Sequence, residues 1–517
     1  MKLPLLLLLS LCLSCSQGYK ILFAMPKWMY SHMNFIGNIA DILVEGGHDV
    51  TMLQYVVAPL NQSGTKLAKV VDFQPGPEVF QILVNAEKSG AIANVWKHSV
   101  ASTAAVMFSV DMIGSVSYHN TKALLNDQKF LDGLKSEKYD IGITELFDFT
   151  GVALFNAIGL KNIIGAHSTG ILEGTNLASG TPLLPAFTPG AQTHTDDGIG
   201  IVNRFRNLVK TYWGWRFQTD ISQYAQKAVN EKFGKAKTVQ NITWFLVNQD
   251  PIFDFPKAFP TNIVEIQGIG VPVVKPLSED WSEILSRRSK NVLVSFGSIA
   301  NPTTMPENVR KAIISALASI PDVTFIWKFD LDDDPMLADA PNVVVTKWMP
   351  QNDLLADSRI TAFLTHGGVG SLLEALGKGI PLIAVPIFGD QPRNVQIAKH
   401  HGAAVIFDKL DLGNSGKLAA AIKEVLDKPE YKKNAVLLSQ ILATKWNNPR
   451  QNILNTIEFA GRFGLMPRFQ SPGRHLNLIQ YFNLDILIIF VITVVLILTG
   501  VVLLVRRLVF SAKEKME

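Results

Sequence analysis

Apolar residues in this chain gather in short, predominantly apolar runs rather than in strict alternation. Such runs occupy 19–25, 49–53, 291–296, 323–328, 343–345, 360–364 and 381–386. A continuous apolar run of four to eight residues is the pattern of a strand buried on both faces. Between and after them lie stretches with helical spacing at 35–44, 305–320, 371–376, 417–426 and 431–444. Strand and helix alternate, which predicts α/β architecture with parallel sheets. The series begins twice, near residue 19 and near residue 290. A second, longer apolar run at 486–505 has no charge, and at about 1.5 Å per residue it crosses a ~30 Å bilayer.

The densest unit is 348–391. An apolar run ends at Leu364, His366-Gly367-Gly368 turns the chain, a helical segment runs to Leu376, and Gly377 and Gly379 stop it before the next strand. This is a βαβ unit. Its turn suits a phosphate: glycines let backbone N–H groups approach, and the following helix N-terminus adds partial positive charge. His366 and Ser371 supply side-chain donors there. Glu374, one turn on, can hold ribose hydroxyls. Asp390 and Gln391 follow the next strand at its carboxyl end, where open α/β sheets bind ligands, and a carboxylate beside a carboxamide suits a sugar. Ser371-Leu-Leu-Glu374 is also a capping box, which needs no ligand. The glycines do not form a dinucleotide fingerprint, because Leu373 stands at the place of the third.

Taken in order, Trp348, Pro350, Gln351, His366, Gly367, Gly368, Glu374, Gly379, Pro381, Pro386, Asp390 and Gln391 closely resemble the signature of the UDP-glycosyltransferases, the UDP-glucuronosyltransferase-like membrane enzymes of animals. One residue departs from it, Gly370 standing where members often carry Asn. The resemblance implies two doubly wound Rossmann-like domains facing across a cleft, the GT-B arrangement, with one C-terminal transmembrane helix. It implies a donor site in which Trp348 stacks on uracil, Gln351 reads its edge or the ribose, and Ser298 (in the run V-S-F-G-S) joins His366, Gly368 and Ser371 at the diphosphate. Asp390 and Gln391 then position the sugar. A core tryptophan and an ordinary turn are the plain alternatives for Trp348 and Ser298.

In the first half, a loop at 26–34 follows the first strand and holds His32 after Ser31. A histidine there is usually just solvated; the family places its catalytic base at this position. Such a base works best with its other nitrogen held by a carboxylate. The family's Asp falls on Glu145, one methylene longer, and Asp148 is the rival partner. Glu145 is also compatible with merely capping a helix end. Met107, Phe108 and Met112 lie in the region 86–125 that shapes the acceptor pocket in this family, and are equally compatible with ordinary core.

The organisation expected is a secretory leader at 1–18, an acceptor-binding domain at 19–270, a linker at 271–289, a UDP-sugar-binding domain at 290–465, a membrane-proximal segment at 466–485, the transmembrane helix at 486–505 and a tail at 506–517. The leader is a charged start, an apolar run to Leu13 and small residues after it. Arg506, Arg507, Lys513 and Lys515 put the tail in the cytosol and the catalytic domains in the lumen, and the terminal lysines look like a retrieval signal for the endoplasmic reticulum membrane. Asn61 and Asn241 head glycosylation sequons.

The 517 residues carry a net charge of +4, with no basic block that suits nucleic acid. Cys12 and Cys15 are the only cysteines and both fall in the leader, so no cysteine chemistry is expected of the mature chain. Asp330-Leu-Asp332-Asp333-Asp334 raises a metal-binding Asp-x-Asp pair, but it lies far upstream of the H-G-G turn. No metal and no cofactor are expected, since a helix N-terminus and His366 can stabilise a diphosphate alone. The expected reaction is inverting transfer of glucuronic acid or glucose from a UDP-sugar to a hydroxyl of a small lipophilic acceptor. The alternative is a membrane-anchored UDP-sugar or lipid binding protein without turnover, or a transferase acting on membrane lipid or protein. Homo-oligomers are compatible with either.

Overall fold

The computed structural model of the chain describes residues 18–90, 93–99, 102–191, 198–234, 242–297, 300, 302–329 and 337–514. The leader, Ser298, Asn241, the acidic cluster at 330–334 and Lys515 lie outside the described residues.

Two wholly parallel sheets carry the fold. The first contains β1 (Lys20–Lys27), β2 (Asp49–Val56), β3 (Lys69–Phe73), β4 (Ile141–Glu145), β5 (Ile163–His167), β6 (Ile242–Val247) and β7 (Ile263–Glu265), in the spatial order 3-2-1-4-5-6-7. The second contains β8 (Lys290–Ser295), β9 (Val323–Lys328), β10 (Val343–Thr346), β11 (Ile360–Thr365), β12 (Leu382–Ala384) and β13 (Ala404–Ile406), in the order 10-9-8-11-12-13. Both reverse direction once, between β1 and β4 and between β8 and β11. These are doubly wound sheets, and the reversal is where such a sheet opens a crevice at its carboxyl edge.

The predominantly apolar runs have a direct cause. In β1 every residue after Lys20 is buried, and in β8 every residue after Lys290, because helices cover both faces of a parallel sheet. Lys27, at the end of β1, keeps its ammonium satisfied on Asp72, 2.6 Å away.

The two halves are not independent beads. The helix Pro449–Phe463 follows the second sheet in the chain, yet its Ile453, Ile457 and Ala460 pack in the core of the first, with Ile21, Ile36 and Ile39. In the opposite sense Phe253 and Phe255 pack into the second core with Leu285 and Ile397. Lys445 and Asp250 tie the same seam at 2.6 Å. Leu285 lies on a helix, Glu279–Ser286, in the stretch that the sequence reads as a linker. The chain closes with the helix Leu484–Glu514, of which Leu484–Phe510 is long and apolar enough to cross a membrane and is unburied.

Candidate active site

The helix after β1 begins at Tyr30, five residues before the helical spacing becomes visible in sequence. Trp28 and Met29 make the whole turn, with Met29 in the left-handed region at φ 51° and no side chain capping the helix. His32 therefore sits in the first helical turn and not in a loop. An uncapped start leaves no polar cue at the boundary, which is why the pattern placed it late.

Glu145 is the last residue of β4, beside β1, and is buried. Its Oε1 lies 2.7 Å from His32 Nδ1. Ser168, just past β5, is the third member: its Oγ lies 2.7 Å from the same nitrogen and donates to Glu145 Oε1, and its backbone N–H reaches that oxygen at 3.3 Å. Asn248 in turn holds the Ser168 carbonyl at 2.7 Å. Burial works against a charged imidazole, but Glu145 more than offsets it, so the His32 pKa lies above its ordinary 6.5. Burial likewise penalises the Glu145 carboxylate, and His32 and Ser168 more than offset that, holding its pKa below the ordinary value.

Asp148 is no rival. It faces away from His32, accepting from Tyr55 Oη at 2.9 Å and from the Thr150 N–H at 3.2 Å, and burial pushes its pKa up to about 7. Phe147 stands beside His32, the two rings edge-on with centroids 5.2 Å apart. Behind it Val110, Ile113, Phe217 and Ile221 form an apolar cluster with Trp28 and Phe147.

The second sheet brings the other residues to its own reversal point. Gly368 caps the helix Val369–Leu376, so Ser371 lies inside it and the capping box is not formed. His366 is enclosed: a Cβ on either Gly297 or Gly368 would stand 2.7 Å from its Nε2. The glycines thus make room for an imidazole as well as for a ligand. Burial pushes the His366 pKa down to about 4, with Lys328 adding to the effect, so at neutral pH it is an uncharged hydrogen-bonding group. Gln351 Nε2 donates to Glu374 Oε2 at 2.7 Å and to Ser371 Oγ at 3.2 Å. Trp348 is 68% exposed, with Lys328 over one face at 5.5 Å from the ring centre. It is an open platform and no part of a core.

Asp390 and Gln391 separate. Gln391 is buried, and its Oε1 accepts from the N–H groups of Ile387 and Phe388 at 2.8 and 3.1 Å. It shapes the loop after β12. Asp390 accepts from Asn394 Nδ2 at 2.9 Å. Burial raises its pKa, and His32 partly opposes the rise, just as Asp390 helps raise the pKa of His32. A carboxylate of the second half is therefore close enough to the histidine of the first for each to influence the other's charge.

Sequence reasoning passed over Ser168 and Asn394. Ser168 was within reach, since His167-Ser-Thr-Gly170 follows an apolar run just as Glu145 does. Among the described residues no group of three or more His, Cys, Asp or Glu is placed to hold a metal ion. Asn61 is exposed in the loop after β2.

Comparison with known proteins agrees with this geometry. A family profile described as "UDP-glucoronosyl and UDP-glucosyl transferase" matches residues 20–516. Human UDP-glucuronosyltransferase 2B7 is 27% identical, over 96% of this chain and 94% of that protein. UDP-glucuronosyltransferase 2B19 of Macaca fascicularis is 27% identical over 98% of each. Among solved structures, Os79 from O. sativa in complex with U2F and trichothecene superposes with a TM-score of 0.60 at 15% identity, over 86% of this chain and all of that one. Phytolacca americana UGT2 complexed with UDP-2fluoro-glucose and pterostilbene gives 0.54 at 15% identity, with the same coverage. These likenesses fix the fold as GT-B. With the profile spanning both sheets and the apolar C-terminal helix, the chain belongs to the UDP-glucuronosyl and UDP-glucosyl transferase family, and is an enzyme that transfers sugar from a UDP-sugar.

Proposed function

We propose that this chain transfers glucuronic acid or glucose, with inversion, to a hydroxyl of small lipophilic acceptors, using His32 as base. The observation that carries the reading is the His32–Glu145 pair. With Nδ1 held by Glu145, the proton on that nitrogen is fixed and Nε2 is left with its lone pair to accept the acceptor proton. Deprotonation makes the acceptor oxygen a competent nucleophile, and it attacks the anomeric carbon opposite the diphosphate. The imidazolium that forms is stabilised by Glu145 and, across the cleft, by Asp390.

The leaving UDP gains charge as the bond breaks. Because His366 is neutral, it contributes as a hydrogen-bond partner, and partial positive charge comes from the N-terminus of Val369–Leu376. Ser298 and Ser371 are donor-site residues in this reading. Uracil stacks on the face of Trp348 that Lys328 leaves open, Gln351 and Glu374 hold the ribose, and Asp390 holds the sugar, with Gln391 supporting its loop. The apolar wall of Val110, Phe217 and Phe147 beside His32 favours lipophilic acceptors. Lys257, a half-buried cation that could otherwise meet a sugar carboxylate, is pushed down to about 8 by desolvation and by Arg393 and lies 3.9 Å from Asp254, which argues against that role.

The same reading places the chain in the endoplasmic reticulum membrane, catalytic halves lumenal, with Asn61 and Asn241 as glycosylation positions. No cofactor or metal is required. Full-length enzyme supplied separately with UDP-glucuronic acid and UDP-glucose, and with a mixed panel of phenols and steroids, tests it through UDP release and product mass. Product of inverted anomeric configuration from either donor supports the reading; retained configuration would sink the displacement mechanism.

A further inference from the structure

The first turn of the helix Gln391–His400 serves both halves of the molecule. Asn394 works on the donor side. Its Nδ2 donates to Asp390 at 2.9 Å and to the Gly367 carbonyl at 3.2 Å, which ties the carboxylate proposed for the sugar to the H-G-G turn. Arg393, one residue earlier, reaches into the first half. Its guanidinium donates to the Asp254 carboxylate and, at 3.5 Å, to the Pro189 carbonyl, and it lies 5.5 Å from the centre of the Phe255 ring. The side chains of Arg393 and Asp254 are only 5% and 7% exposed. Burial penalises the Asp254 carboxylate, and Arg393 and Lys257 more than offset that, holding its pKa below the ordinary value.

The connection runs on toward the base. Gln249 Nε2 donates to Asp254, and its Oε1 accepts from the Ile171 N–H at 2.9 Å. Ile171 stands three residues after Ser168, whose hydroxyl and N–H hold Glu145. Asn248, beside Gln249, holds the Ser168 carbonyl. Polar contacts therefore lead from the helix that follows Asp390 to the loop that supports the His32–Glu145 pair. A buried ion pair is a poor source of stability, because the cost of desolvating both charges cancels much of their attraction. Phe253 and Phe255 already give this seam apolar adhesion. An apolar seam can slide, whereas a guanidinium cannot leave its carboxylate here without two buried charges losing their partners.

We propose that Arg393 and Asp254 are positioning residues for the transfer: the pair sets the register of the two halves, and with it the placement of Asp390 against His32. This rests on the reading of His32 as the base. The charged groups that bear on His32 are Glu145 and Asp390, and both raise its pKa. The neighbouring His167 is pushed down to about 4 by burial and is neutral at pH 7. If the register slips, the influence of Asp390 is lost and the His32 pKa falls. Loss of a nearby cation, acting through space alone, has the opposite sign and raises it. The direction of the change therefore separates a lost register from a lost charge.

The test compares full-length native enzyme with Arg393→Met and with the double variant Arg393→Met/Asp254→Asn, which removes both charges together and so keeps the test open if the single variant fails to fold. Thermal melting, the calorimetric dissociation constant for UDP, and kcat against pH are measured, the last with the donor and the phenol or steroid that give product in the panel above. The expected result is native UDP affinity, a fall in kcat of about 10- to 100-fold, as for a misplacement of about 1 Å, and an inflection moved to lower pH. Native kcat and inflection in the double variant would overturn the proposal. So would an inflection that moves to higher pH in Arg393→Met with kcat nearly unchanged, the mark of a charge effect alone. Loss of UDP binding and of melting temperature along with kcat would reduce the pair to a support of the fold. Glu145→Gln run in parallel keeps the two readings apart: an inflection that ignores Glu145→Gln sinks His32 as base, whereas one that follows Glu145→Gln and ignores both Arg393 variants sinks only the positioning pair.

Discussion

The two sheets wind in the same order around the same kind of reversal, yet their crevices are furnished in opposite ways. At β1/β4 the crevice holds an ionisable pair, a half-buried His32 on a buried Glu145, each shifting the other toward its charged form. At β8/β11 it holds glycines and a histidine driven neutral, with its polar side chains, Gln351, Ser371 and Glu374, bonded to one another. Topology opens a crevice; it does not choose the chemistry placed there. A group that must take a proton needs a charge partner, whereas a surface that must accept a diphosphate needs backbone access and no competing anion.

The largest effect expected from breaking this division is at the base. His32→Ala should lower kcat by about 10²- to 10⁴-fold, the usual contribution of a positioned general base. Glu145→Gln comes next, at about 10²-fold by the same reckoning, and it sharpens the assignment through pH. The rate in the native enzyme should fall as pH drops through a value above 6.5, where His32 becomes protonated. Without the Glu145 carboxylate, burial is opposed only by the smaller effect of Asp390, so the inflection should move to lower pH. Asp148→Asn should leave both kcat and the inflection almost unmoved, since Asp148 is bonded to Tyr55 and Thr150.

In the second half the expected signature is weaker donor binding. Gly368→Ala would drive a Cβ against the His366 ring; overpacking of this kind costs about 1–3 kcal/mol, or roughly 5- to 150-fold in UDP affinity. Trp348→Ala removes a stacking surface of comparable or smaller worth, about 1–3 kcal/mol per base, and should act on KM for the donor with little change in kcat. Steady-state kinetics against donor concentration separates these from the first pair.

Much of this is legible in the sequence alone. Strands buried on both faces announce themselves by unbroken apolar runs, and β11 and the helix after it were placed within two residues. His32 and Glu145 were legible through resemblance, because a lone His and a lone Glu separated by 113 residues carry no spacing signal. What sequence could not supply was contact between distant segments. That the helix Pro449–Phe463 returns to the first core, that Gln391 spends its carbonyl on the backbone, and that Glu145 and not Asp148 meets His32 are all decided by packing.

The division of labour between the two crevices is tested most directly by calorimetric titration of UDP into His32→Ala enzyme that has lost turnover. A dissociation constant equal to that of the native enzyme is the result predicted, because every residue proposed for the donor site lies in the second half. Loss of UDP binding in step with loss of turnover would contradict it, and would make His32 part of the donor site or of the fold that supports it.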